Sequence, residues 1–300
     1  MKSLIIGFAI ILAVVISCTT PSTHSDPVLP VITVSILPQT YFVHRITGDK
    51  WEINVMIPPG HNPATYEPTF SQMKILSRTK LYFRIGHIPF ETSFMNNLSQ
   101  LNPDMKIIDT SEGVQLITRG LSPAILSGKP QPDYGSSRGV DPHIWLSPKS
   151  VKLIAKHIYD TLITVDPENQ NFYHSNFLGF QKDIDELNME THSALSDLKR
   201  KKFMVFHPAW SYFARDYGLI QVAIEIEGKH PKMSDLKQII DTARREDIRV
   251  IFVQKQFDTH SARTVIEEID GKVIQLDPLS ADWLINMKHI VTTFKNTLNL

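Results

Sequence analysis

A single cysteine, Cys18, stands in the 300-residue chain. No internal disulfide can therefore form, and the body of the protein must be stabilised by packing. A charge surplus is missing too: 31 Lys and Arg face 31 Asp and Glu, a formal net charge of +0. That removes the basic excess expected of a nucleic-acid-binding surface. Beyond the N-terminus no apolar run reaches the roughly 20 residues of a membrane-spanning helix. H-E-x-x-H and a phosphate-cradling glycine loop are likewise absent, so the sequence lends metallohydrolase or phosphate chemistry no support. The expectation is a binding protein rather than an enzyme.

What is present begins with an apolar leader. Lys2 precedes the nearly continuous apolar run Ser3 to Ile16, and Val15-Ile16-Ser17-Cys18 resembles a bacterial lipobox. Residues 1–17 are expected to be a lipoprotein signal peptide, Cys18 the lipid attachment site, and the Ser/Thr/Pro stretch 18–30 a flexible tether. A signal peptide cut elsewhere, with Cys18 incidental, is the competing reading.

Apolar residues make up 42% of the chain, enough for two cores. From Val31 onward, strand-like and helix-like patterns alternate. Strands are expected at Val31–Ile36, Glu52–Ile57, Leu81–Ile85 and Lys106–Ile108, then at Phe203–Phe206, Ile220–Ile224, Val250–Val253 and Val273–Leu276. Between the two sets, Asp166-Pro167-Glu168 opens a helical pattern that continues to about Lys199. The expected fold is α/β: two (β/α) lobes with mainly parallel sheets, 31–165 and 201–300, joined by one long rigid helix at 166–200. Leu121–Val140 reads as a Gly/Ser/Pro-rich loop.

Open α/β sheets bind ligands beyond the carboxyl ends of their strands. Four metal-capable side chains fall there: His61, His143, His207 and Asp277. They are separated by 82, 64 and 70 residues, unlike the short ligand spacing of a zinc finger. Only a tertiary fold could bring them together.

The surrounding residues resemble a known family. Asp141-Pro142-His143-Ile144-Trp145-Leu146-Ser147-Pro148 is similar to the D-P-H-x-W-x-x-P segment of zinc/manganese solute-binding lipoproteins of bacterial ABC importers. The thirteen residues from His207 to Leu219 are similar to their H-x-A-x-x-Y-F-x-x-x-Y-G-L segment, and Asp277-Pro278-Leu279 to their late D-P-L. Pro58-Pro59-Gly60 with Tyr66-Glu67-Pro68 matches their first ligand loop. The resemblance runs from about Val31 to Leu300 and implies two lobes bridged by a long helix, with the metal site in the cleft between them.

One departure matters. Where the family has a ligand histidine in that first loop, this chain has Ala64. His61 is the expected substitute, His87 the competitor, and a site of His143, His207 and Asp277 completed by water a third possibility. Three imidazoles and one carboxylate suit Zn²⁺. Mn²⁺ or Fe²⁺ is less favoured, because manganese-binding relatives place an acid at the position of His207.

The resemblance further implies extracytoplasmic metal capture by a lipid-anchored monomer that serves an ABC permease and its ATPase, with no nucleic-acid partner. An adhesin function, which this family also includes, has no residue here to support it. Tyr212, Phe213 and Tyr217 read as core, and Glu67 as a supporting carboxylate. Glu225 and His230 receive no role.

Overall fold

The computed structural model describes residues 29–118, 139–225, 231–254 and 260–299. The leader, Cys18, His230 and most of the Leu121–Val140 loop lie outside these residues.

Two four-stranded parallel sheets form the frame. The first contains β1 (Val31–Val34), β2 (Glu52–Val55), β3 (Thr79–Arg84) and β4 (Lys106–Asp109), in the order β2-β1-β3-β4. The second contains β5 (Lys202–Val205), β6 (Ile220–Ala223), β7 (Val250–Val253) and β8 (Lys272–Gln275), in the order β6-β5-β7-β8. Every strand pair is parallel. The central strands explain why. β7 reads VIFV, apolar on both faces, and β1 VITV, whose one polar side chain, Thr33, is buried and bonded to Thr79 Oγ1 at 2.7 Å, as a sheet covered by helices on both sides requires. In each sheet the strand order reverses beside the first strand, between β1 and β3 and between β5 and β7. The loops after those strands diverge there and leave a crevice.

Helices α1 (Leu37–Thr47), α2 (Phe70–Leu76) and α3 (Pro89–Leu101) follow the strands of the first sheet. Helix α4 (Pro148–Val165) begins with Ser147 as N-cap, its hydroxyl accepting from the Ser150 N–H, and Pro148 in the first turn. Its stripe of Val151, Ile154, Ala155, Ile158 and Leu162 is fully buried. The expected long helix is present but shorter than its pattern. Pro167–Asn169 forms a separate 3-10 turn, and α5 spans Gln170–Leu195, 26 residues. The Asp166 side chain accounts for the break, because it accepts from Asn169 Nδ2 (2.8 Å) and Tyr173 Oη and so ties up the turn before the helix.

The second half adds α6 (Ser211–Asp216), α7 (Met233–Arg245), α8 (His260–Ile269) and α9 (Trp283–Leu298). α6 stops at Gly218, whose φ of 66° lets the Leu219 N–H reach back to Ala214 O at 2.8 Å. α5 packs against α4, α1 and α9. Trp283, at the start of α9, is buried against α1 and α5, with ring centroids 5.3 Å from Phe42 and 6.4 Å from Phe180. The main core is therefore continuous from Ile32 and Phe42 through Phe180 and Ile184 to Phe213 and Phe294. A second cluster, including Met204, Ile224, Ile239 and Ile251, fills only the far face of the second sheet, under α7 and α8.

Candidate metal centre

His143 and His207 reach one place, their ring centroids 5.2 Å apart. His207 follows β5 at the strand-order reversal. Its backbone is fixed by Phe206 N–H on Phe252 O (2.9 Å), by Ala209 N–H on His207 O (2.9 Å) and by Gln254 Nε2 on His207 O (3.3 Å). His143 lies in the segment that leads into α4. Asp141 N–H bonds Ile117 O (2.8 Å), Tyr212 Oη donates to Asp141 O (2.7 Å), and Trp145 Nε1 donates to Pro278 O (2.7 Å). Trp283 Nε1 in turn donates to Trp145 O (2.7 Å). Both segments are thus held on rigid supports, and Tyr212, expected as core, is fully buried while doing this.

The two Nε2 atoms stand 3.3 Å apart. On the far side of each ring, Nδ1 meets a carboxylate: His143 Nδ1 is 2.7 Å from Asp141 Oδ1, and His207 Nδ1 is 2.7 Å from Glu225 Oε2. An ionised carboxylate only accepts, so each Nδ1 donates, and in the neutral rings both Nε2 atoms present lone pairs. Two acceptors facing each other at this distance repel unless a cation lies between them. A tetrahedral ion with Zn–N of about 2.0–2.1 Å has ligand edges of about 3.3–3.4 Å, a length that the observed separation of 3.3 Å matches. Burial works to raise the Asp141 carboxyl, but the adjoining His143 ring and its two N–H donors outweigh this and hold it below the usual carboxylate range.

The other expected ligands are less gathered. Asp277 is half-buried just beyond β8, with Oδ1 accepting from Leu279 N–H (2.9 Å) and its backbone carbonyl from Asn286 Nδ2 (2.7 Å). His61 is exposed. Its ring lies edge-on to Tyr66 at 5.0 Å, with Nδ1 3.2 Å from Pro59 O of its own loop. That loop nevertheless faces the Asp277 segment, since Pro58, Pro59 and Gly60 line a small cavity with Leu279. Ala64 is exposed and His87 half-buried after β3. Among the described residues no three His, Cys, Asp or Glu side chains are grouped as a metal site. The structure brings His143 and His207 together and does not gather His61 and Asp277 with them.

Glu225, given no role from the sequence, is the carboxylate that meets His207. Its one available signal is its place just after β6, beside the strand that leads into His207. Glu67, expected as a supporting carboxylate, is exposed.

The family model for ZnuA, the zinc-uptake complex component A, periplasmic, matches residues 32–297. The crystal structure of ZnuA superposes with a TM-score of 0.81 at 38% identity, over 90% of this chain and 99% of that one. A zinc-bound ZnuA deletion mutant gives 0.82 at the same 38% identity, over 91% and 99%. Among sequence relatives, the manganese ABC transporter substrate-binding lipoprotein PsaA of Streptococcus pneumoniae is 26% identical over 83% of this chain and 79% of its own. The high-affinity zinc uptake system protein ZnuA of Bacillus subtilis is 23% identical over 83% and 78%. With two parallel-sheet lobes, a linking helix and a match spanning nearly the whole chain, this protein belongs to the ZnuA family.

Proposed function

We propose that this chain is the extracytoplasmic solute-binding component of a bacterial ABC importer, capturing one Zn²⁺ and delivering it to a permease driven by an ATPase subunit. One observation carries the reading: two imidazole Nε2 atoms 3.3 Å apart, each ring anchored at Nδ1 by a carboxylate. His143 and His207 are the resident half of the site. Asp277 supplies an oxygen donor, and His61 completes the set when its loop folds inward. A site filled by four protein ligands binds without leaving the open position that a catalytic zinc requires, so the chain carries rather than reacts. Nitrogen-rich coordination favours Zn²⁺ over Mn²⁺ or Fe²⁺. Residues 1–17 act as the signal peptide, Cys18 carries the lipid, 18–30 tether a monomer to the membrane, and 31–165 and 201–300 form the lobes on either side of 166–200.

Competition titration against a chromophoric zinc chelator tests the reading. One tight Zn²⁺ per chain is expected, weakened at least tenfold by His143→Ala or His207→Ala. Unchanged affinity in both variants would overturn it. Fatty-acid labelling that disappears in Cys18→Ala would support the anchor, and equal labelling would refute it.

A further inference from the structure

We infer that Glu225 is a positioning and charge-matching residue of the metal site, one that never touches the ion and yet sets how tightly His207 holds it. The inference rests on His207 being a ligand. Glu225 follows β6, and its N–H bonds Phe206 O at 3.0 Å, so the sheet itself places it beside the residue preceding His207. Its side chain is 7% exposed, and among the described residues its one ion pair is with His207. Among the described residues no Lys or Arg pairs with it. A carboxylate buried this far is costly unless positive charge is near. The neutral imidazole supplies a hydrogen bond but no charge, and an ion bound at the other face of the ring would supply it.

The opposite lobe repeats the arrangement. Asp141, His143, His207 and Glu225 form one continuous line, carboxylate, imidazole, imidazole, carboxylate, with links of 2.7, 3.3 and 2.7 Å. With neutral rings the line carries two negative charges, which with the Asp277 carboxylate make a strongly cation-attracting site. Glu225 thereby does two things. It keeps the proton of His207 on Nδ1, so Nε2 faces the ion, and it supplies part of the balancing charge. Carboxylates that support metal-bound histidines in this way typically change affinity by about 10–100-fold.

Three variants of the full chain, titrated with Zn²⁺ alone, separate the possibilities. Glu225→Gln keeps an acceptor for Nδ1–H and removes the charge, and zinc binding is expected to weaken about tenfold. Glu225→Ala removes both and is expected to weaken it further, within the same 10–100-fold range. The ¹⁵N spectrum of histidine-labelled, metal-free protein supplies a readout that a merely structural role would not move. His207 should be protonated at Nδ1 alone in wild type and in Glu225→Gln, and should populate both tautomers in Glu225→Ala. If His207→Ala weakens zinc binding while Glu225→Ala stays within twofold of wild type, the role of Glu225 is overturned and the ligand assignment stands. If His207→Ala itself binds like wild type, the ligand assignment fails and this inference falls with it.

Discussion

Ala64 occupies the position where the family pattern has histidine, and its neighbour His61 points into solvent with its ring on Tyr66. Gly60, at φ 81° with nothing within 4 Å of where a Cβ would lie, gives the loop a joint that needs no rearrangement of neighbours. His61→Ala is therefore expected to weaken zinc at least tenfold, above about 1.4 kcal/mol, with His87→Ala close to wild type. Loss at His87 and silence at His61, in the same chelator titration, would reverse the assignment. Another residue-scale expectation concerns pH. Glu91 is buried with its carboxylate accepting from Ile85 and Gly86 N–H, both at 2.7 Å, and from Ser35 Oγ. Burial nonetheless pushes it up to about 7 from 4.5. A carboxyl raised on folding keeps its proton longer in the native state, so its contribution is complete below pH 4.5 and is lost as pH rises through about 7. Glu91→Gln has a fixed cost but lacks this slope. Its deficit relative to wild type in urea unfolding should shrink between pH 5 and pH 8, at up to ~1.4 kcal/mol per pH unit. A constant deficit would contradict the prediction. That His143 and His207 meet was legible because the motifs that carry them are contiguous in sequence. Glu225 was not, since its partner lies across a strand pairing whose register a single sequence does not disclose.

At the scale of elements, the strands were the most readable feature, because runs such as Val250–Val253 are apolar throughout and bounded by polar residues. Observed ends differ mainly where a strand's last apolar residue turns into a loop, as Ile57 and Ile85 do. Helices α3 and α4 are additions by the structure. The polar face of α3 dilutes its pattern, and α4 follows directly on the His143 segment, so that its Ser147 cap doubles as part of the motif. The length of α5 was overestimated because a proline suited to a helix start instead closed a 3-10 turn capped by Asp166. Within α5, Ile184 is fully buried at the middle of the span that joins the lobes. Ile184→Pro is expected to cost ~3 kcal/mol or more from the lost hydrogen bond and the ring clash alone. An unchanged melting temperature would mean that the helix does not act as one piece.

At the scale of the whole molecule, the two sheets do not have separate cores. The cluster that includes Phe42, Phe180 and Trp283 runs into that of Phe203, Phe213 and Phe294. Calorimetry of the metal-free protein should therefore show a single cooperative transition, and two resolved transitions would mean that the halves melt independently. Zinc should raise that transition, by about 2.7 kcal/mol of added stability at a free concentration a hundredfold above Kd. The same burial gives the protein an optical character. Its four tryptophans, Trp51, Trp145, Trp210 and Trp283, are all at most 7% exposed, so their emission should be blue-shifted and largely shielded from aqueous quenchers. Trp145 has its ring centroid 5.1 Å from that of His143. An ion held by that histidine, as proposed, would change the field felt by this indole, so filling of the site should register as a change in intrinsic emission without any added dye. Trp145→Phe should remove most of that response and Trp51→Phe should leave it, which would make the fluorescence of the native chain a direct meter of its cargo.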